Sequence, residues 1–275
     1  MKYLEIKGAR VPALGLGTWQ LSGSACVTAV SEALALGYRH IDTAQMYGNE
    51  AEVGRALRQS GVPRGDIFVT TKLAPGNLAA ADVRRSSEES LRKLGLDHVD
   101  LLLIHWPSGD APLGETLAAM GKLRAAGKTR FIGVSNFNVK LLDEAIERHG
   151  ADLLCDQVEY HPFLSQRAVL AALQRRRMML TAYSPVARGS VGRDATLTAV
   201  ARRHGKSPAQ IALRWLIEQE NVAAIPKAGR HEHLAANIDI FDFTLTPEES
   251  QAIDALRGDR RLVDPGGWAP RWDPP

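Results

Sequence analysis

The 275-residue chain carries two cysteines, Cys26 and Cys155, and a formal net charge of +3. This excludes a disulfide framework and a cysteine-based metal site, and it gives no electrostatic case for nucleic-acid binding. The 45% hydrophobic and 24% charged composition is that of a globular domain, with no run near the ~18 apolar residues of a membrane span.

The first elements predicted are short. Tyr3 to Lys7 alternates, Gly8-Ala9-Arg10 turns and Val11 to Leu14 returns, as in a hairpin. From Gly15 onward a strand–helix unit repeats. Gly15 to Thr18 is a short strand, Ser24 to Leu36 a helix closed by Gly37, Tyr38 to Asp42 a strand, and Asn49 to Ser60 a helix with Asn49 as cap. Strands Ile67–Lys72, Val99–Ile104, Arg130–Val134, Leu153–Glu159, Met179–Tyr183 and Val222–Ile225 follow. Between and after them lie helical patterns at Ala80–Leu94, Leu113–Ala126, Val139–Arg148, Gln166–Arg176, Thr196–His204, Ala209–Gln219, His231–Asn237 and Pro247–Leu256. Cys26 falls in a helix and Cys155 in a strand, so both read as buried free thiols. Arg175-Arg176-Arg177 reads as a solvated helix end, where cations are favoured.

Strands without alternation are buried on both faces and therefore parallel. Eight such units predict a single-domain (β/α)₈ barrel with an N-terminal hairpin and a short C-terminal loop over it. An open doubly wound sheet would carry a glycine fingerprint in its first turn. Gly15-Leu16-Gly17 begins one, but Gln20 stands where its third glycine belongs.

In a barrel, polar residues at the C-terminal strand ends are the candidates for catalysis. Asp42 ends one strand, Lys72 the next and His105 the one after, with Tyr47 on the loop that follows Asp42. A phenol is a weak acid, with an unperturbed pKa of about 10. Lys72 supplies a charge that lowers it, Asp42 holds Lys72 cationic, and His105 orients a carbonyl oxygen. Such a set suits protonating an oxygen as a hydride reaches its carbon.

The stretch Gly37 to Gly54, containing Asp42, Tyr47, Glu50 and Gly54, resembles the first signature of the aldo-keto reductase family. Matches continue at Thr71-Lys72, Leu103 to Pro107, Gly133 to Phe137, Gln157 to Pro162, Ala182 to Pro185 and Ile225 to Lys227. The tail from Asp259 to Asp273 resembles bacterial members that reduce 2,5-diketo-D-gluconate or methylglyoxal. The resemblance implies an NADPH-dependent reductase of small carbonyl compounds, with Tyr47 as proton donor; the N-terminus, without an apolar signal-peptide core, makes the cytoplasm the expected location. It also implies that Ser135, Asn136 and Gln157 bind a nicotinamide carboxamide and that Tyr183 stacks on its ring. Ser184, Pro185, Val186, Arg188 and Gly189 would follow the pyrophosphate. Thr18, Trp19, Asp42, Pro226, Lys227, Arg230, His233 and Asn237 complete the implied cofactor set.

Ala228, His233 and Ala236 stand where the family often has serine, arginine and glutamate, which predicts tolerance of NADH beside NADPH. The substrate pocket is expected from Trp19, Met46, Tyr47, His105, Trp106, Asn136 and, where the tail covers the mouth, Trp268. A monomer is expected, because no long apolar surface stripe stands out. The alternative is a non-catalytic regulatory or structural protein on the same fold, since fold alone does not fix function.

Overall fold

In the computed structural model, which describes residues 1–107 and 110–274, the chain opens with a hairpin. Its strands are β1 (Tyr3–Ile6) and β2 (Ala9–Pro12). Ile6 pairs with Ala9, leaving a two-residue turn of Lys7 and Gly8. Both have positive φ, 49° and 77°, the twist a two-residue hairpin demands. The turn therefore lies earlier than the expected Gly8–Arg10, and Ala9 and Arg10 are paired strand residues.

The repeating units follow in chain order: β3 (Leu16–Gly17), α1 (Gly23–Ala35), β4 (His40–Asp42), α2 (Glu50–Gln59), β5 (Phe68–Leu73), α3 (Ala80–Leu94), β6 (Val99–Ile104) and α4 (Leu113–Ala125). Next come β7 (Thr129–Ser135), α5 (Val139–Asp143), β8 (Leu153–Glu159), α6 (Arg167–Arg175), β9 (Met179–Tyr183), α7 (Ala195–His204), α8 (Pro208–Glu218), β10 (Val222–Ala224), α9 (His231–Ile238) and α10 (Pro247–Asp254). The helix expected over 139–148 is thus shorter; α5 widens into a π turn, Glu144–Arg148. Arg176 is more than a solvated helix end, because it donates to Asp143 at 2.5 Å and to Glu147 at 2.8 Å and ties α6 to that turn.

β3 to β10 pair in sequence order, each parallel to the next. The seam closes through Gly15 N to Ala224 O (2.9 Å), Ala224 N to Ala13 O (2.8 Å) and Gly17 N to Pro226 O (3.1 Å). This is the predicted (β/α)₈ barrel. A Cβ on Gly17 would sit 2.8 Å from the Ile225 carbonyl oxygen, so the Gly15-Leu16-Gly17 run serves close approach at the seam rather than a dinucleotide turn. Every residue of β5, β6 and β8 is buried, as strands covered on both faces should be. Cys26 and Cys155 are both free and buried. Among the described residues, no helix is long and apolar enough to cross a membrane.

Gly54 shows why the outer helices sit so near one another. A Cβ there would lie 2.2 Å from the Leu94 carbonyl oxygen and 2.7 Å from its Cα. Helix propensity alone favours Ala over Gly by about 1 kcal/mol, but the clash is with backbone and cannot be relieved by a rotamer. Gly54→Ala should therefore destabilise the fold, by about 2–3 kcal/mol on the scale of overpacked cores. A urea denaturation midpoint that drops with unchanged slope would show this; an unchanged or raised midpoint would contradict the packing argument.

Candidate active site

The ends of three neighbouring strands bring the predicted quartet together. Asp42 closes β4 and Lys72 lies near the end of β5, with Asp42 in register with Thr70. Lys72 Nζ donates to Asp42 Oδ1 at 2.5 Å, to the Thr43 carbonyl at 2.9 Å and to Tyr47 OH at 3.3 Å. The lysine side chain is 0% exposed and the aspartate 1%. Burial works against the ammonium, but Asp42, then Tyr47, outweigh it and hold the Lys72 pKa above its ordinary value. The group is a fixed cation.

Tyr47 ends a 3₁₀ turn, Gln45–Tyr47, closed by Gly48 at φ 67°. Burial raises the pKa of its phenol and Lys72 pulls it down, with Asp42 adding a smaller upward push. The sum is upward: the lysine acts in the predicted direction, but desolvation is larger. At 3.3 Å an ion pair between phenolate and ammonium is worth on the order of 5 kcal/mol at an effective dielectric of about 20. The lysine thus favours the phenolate once the proton has left.

His105 follows β6 with its ring edge-on to Tyr47, centroids 5.5 Å apart. Burial, then the charge of Lys72, push its pKa well below the ordinary histidine value, so the imidazole is neutral. Its Nδ1 is buried without a hydrogen-bond partner.

The opposite wall comes from β7, β8 and β9. Gln157 Nε2 donates to Asp42 Oδ2 at 2.8 Å, joining this wall to the charged pair. Ser135 Oγ donates to the Gln157 carbonyl at 2.7 Å. Asn136, at φ 63°, donates to the His105 carbonyl and to Ser135 Oγ, both at 3.0 Å, and accepts from Tyr183 OH at 2.8 Å. Its amide is engaged by the barrel itself. Burial keeps the Tyr183 phenol well above its ordinary pKa and therefore protonated.

These walls enclose a cavity of about 610 Å³. Of the predicted residues, Trp19, Asp42, Met46, Tyr47, His105, Trp106, Ser135, Asn136, Gln157 and Tyr183 line it. So do Ser184, Pro185, Val186, Arg188, Gly189, Lys227 and Trp268. Lys72 stands behind Tyr47, and Thr18 is buried with its hydroxyl on the Asp42 carbonyl. Pro226 serves the seam. Arg230, His233 and Asn237 are at the cap and along α9, beyond the cavity, with Arg230 Nη2 donating to His233 Nε2. A second cavity, about 650 Å³, lies between α4 and the segment from His149 to Asp152, and none of the quartet lines it.

Gly17, Gln20, Ile225, Val263 and Pro265 also line the site and were missed. The two tail residues carry no periodic signal; they are placed by Glu159, a buried carboxylate. It accepts from Leu262 N at 2.8 Å, from Val263 N at 2.9 Å and shares a 3.0 Å contact with His161 Nε2. Farther on, Asp273 accepts from Val139 N at 2.9 Å, and Trp272 meets Trp106 edge-on at 6.3 Å. The tail crosses the mouth and forms part of its wall.

The donor set fits a nicotinamide dinucleotide. Amides and an aromatic face lie beside the quartet, and the cavity runs on to Arg188 and Lys227. Between them the chain turns sharply, with Ser184, Ala187, Arg188 and Gly189 all at positive φ; non-glycine residues there store strain, which concentrates at ligand clamps. The Arg188 guanidinium sits 5.5 Å from the centre of the Trp19 ring.

Comparison with known proteins agrees. The model of the aldo/keto reductase family matches residues 13–257. Methylglyoxal reductase DkgB of Salmonella typhimurium is 42% identical over 266 residues, 96% of this chain and 99% of that protein. The crystal structure of a candidate 2,5-diketo-D-gluconic acid reductase B superposes with a TM-score of 0.97 at 47% identity, covering 99% of this chain and 98% of the other. An aldo-keto reductase of Bombyx mori, solved in complex with NADP, gives 0.89 at 36% identity, covering 96% and 95%. The chain belongs to the aldo/keto reductase family and is an NAD(P)H-dependent oxidoreductase that reduces carbonyl compounds.

Proposed function

We propose that the chain forms one domain that uses NADPH to reduce small reactive carbonyls, 2-oxoaldehydes or keto-sugar acids, with Tyr47 as general acid. The observation that carries this reading is Lys72, fully buried between Asp42 and the Tyr47 hydroxyl. When bound, NADPH supplies a hydride to the carbonyl carbon. Tyr47 gives its proton to the carbonyl oxygen, and Lys72 stabilises the phenolate left behind until water returns a proton. Neutral His105 orients the carbonyl oxygen. Ser135, Asn136, Gln157 and Tyr183 would hold the nicotinamide end; Thr18, Trp19, the segment from Ser184 to Gly189, and Pro226 to Asn237 would hold the rest.

The mouth supports small substrates. Trp19 (43%), Met46 (42%) and Trp268 (39%) are large, apolar and partly exposed around it. The named activities of the methylglyoxal and diketogluconate relatives support the substrate class. A non-catalytic role would need no buried charge aimed at a phenol, which counts against it. Because three of the four exposed large apolar side chains of the described residues gather at the mouth, a monomer is the natural state, and two free thiols suit the cytoplasm.

Tyr47→Phe should lower kcat for methylglyoxal by about 1,000-fold, within the range of general acid catalysis, and leave NADPH affinity within about threefold. Stopped substrate turnover with retained cofactor fluorescence quenching would show it; a variant keeping most of its kcat would remove the proton-donor role.

Lys227 and Arg230 are exposed cations suited to a 2′-phosphate, with the exposed His233 ring beside Arg230. With Ala228 and no second arginine, the clamp is weaker than a bidentate one. The ratio of kcat/KM for NADPH over NADH should fall below about 1,000-fold, roughly 4 kcal/mol. A larger ratio, measured on the purified enzyme, would contradict the relaxed clamp.

A further inference from the structure

The Tyr47 turn rests on side-chain braces that the proton-transfer scheme leaves unexplained. On one side, Asn49 sits at the cap position of α2 but makes no cap bond. Its amide instead donates to the Thr18 and Leu21 carbonyls, both at 2.9 Å, and accepts from Thr43 Oγ1 at 2.7 Å. This ties the turn to the loop after β3. On the other side, Gln45 Oε1 accepts from Ala74 N and from Asn77 Nδ2, both at 2.9 Å, while its Nε2 donates to Ser90 Oγ at 3.1 Å.

The spacing gives this second brace its meaning. Gln45 is two residues before Tyr47, and Ala74 is two residues after Lys72. One side chain therefore joins the backbone of the proton donor's turn to the backbone that carries the lysine. Lys72 is held independently, by Asp42 and the Thr43 carbonyl. Tyr47, partly exposed on a three-residue turn, has no comparable anchor through its own side chain beyond the 3.3 Å contact to Lys72. At that separation a shift of one ångström changes the phenolate–ammonium interaction by roughly a quarter, and catalytic geometry tolerates about half an ångström.

We propose that Gln45 is a positioning residue for the reaction, fixing the distance between the Lys72 ammonium and the Tyr47 hydroxyl by bridging the loops after β4 and β5. The inference rests on Tyr47 being the proton donor. It assigns Gln45 no contact with substrate or cofactor; neither its amide nor its partners Ala74, Asn77 and Ser90 line the cavity. The charged and titratable groups facing the phenol are Lys72 on β5, Asp42 on β4, His105 after β6 and Tyr183 on β9. Of these, Lys72 is the one that favours the phenolate. Loosening its contact makes Tyr47 a weaker acid.

The test is Gln45→Met, which keeps length and loses all three hydrogen bonds, compared with Gln45→Glu. A carboxylate still accepts from Ala74 N and Asn77 Nδ2. Because Gln45 is not fully buried, both variants should fold. In Gln45→Met, kcat for methylglyoxal reduction should fall about tenfold with NADPH affinity unchanged. The basic limb of kcat, where the protonated phenol is lost, should move to higher pH. Gln45→Glu should keep kcat within about threefold. A Gln45→Met enzyme whose kcat and pH limb match the wild type would overturn the proposal, as would a loss of kcat that Gln45→Glu shares. If Tyr47→Phe also turns over normally, the failure lies in the proton-donor reading; if Tyr47→Phe is dead while Gln45→Met is normal, it lies in the brace alone.

Discussion

The site depends on one constraint: a lysine ammonium with no exposed surface must stay charged. Burial alone would discharge it. Asp42 at 2.5 Å and the Thr43 carbonyl at 2.9 Å prevent that, and removing one partner of such a pair typically costs about 3–5 kcal/mol. The remaining direction of the ammonium is taken by the Tyr47 hydroxyl. Asp42 in turn needs its second oxygen satisfied, and Gln157 provides this from across the barrel. The charged pair therefore links the wall that carries Tyr47 to the wall built of amides.

The barrel makes this arrangement possible. Parallel strands in register put Asp42, Lys72 and His105 at one rim, and the loops above them are free to differ. Two loops are cross-linked by side chains, through Asn49 and Gln45. A third, the tail, is hung from Glu159 and pinned by Asp273. In each case a polar side chain replaces the regular hydrogen bonding that a loop lacks, which turns irregular backbone into a fixed wall.

The repeating strand–helix pattern was legible from residue types alone, because continuous apolar strands bounded by glycine leave few alternatives. Asp42, Lys72 and His105 were legible because barrel topology fixes which strand ends are neighbours. The sign of the net shift on Tyr47 was not, since it is a difference between desolvation and Coulomb attraction that needs coordinates. Asn49 was read as a helix cap from its local sequence, yet Thr18 and Leu21, some thirty residues away in sequence, claim its amide. Val263 and Pro265 were missed for a similar reason: the tail's path is set by Glu159, more than a hundred residues earlier.

The central claim is that Lys72 lowers the cost of ionising Tyr47. It is tested most directly by the pH dependence of kcat for aldehyde reduction in Lys72→Met, on protein shown to be folded by circular dichroism. On the proposed reading Tyr47 acts in its protonated form, so activity would be lost as pH rises through its pKa. Without the ammonium that pKa should rise, moving the basic limb to higher pH while the plateau falls by about 100-fold or more, within the span of general acid catalysis. A folded Lys72→Met enzyme with the wild-type limb and a plateau within tenfold of normal would contradict the account.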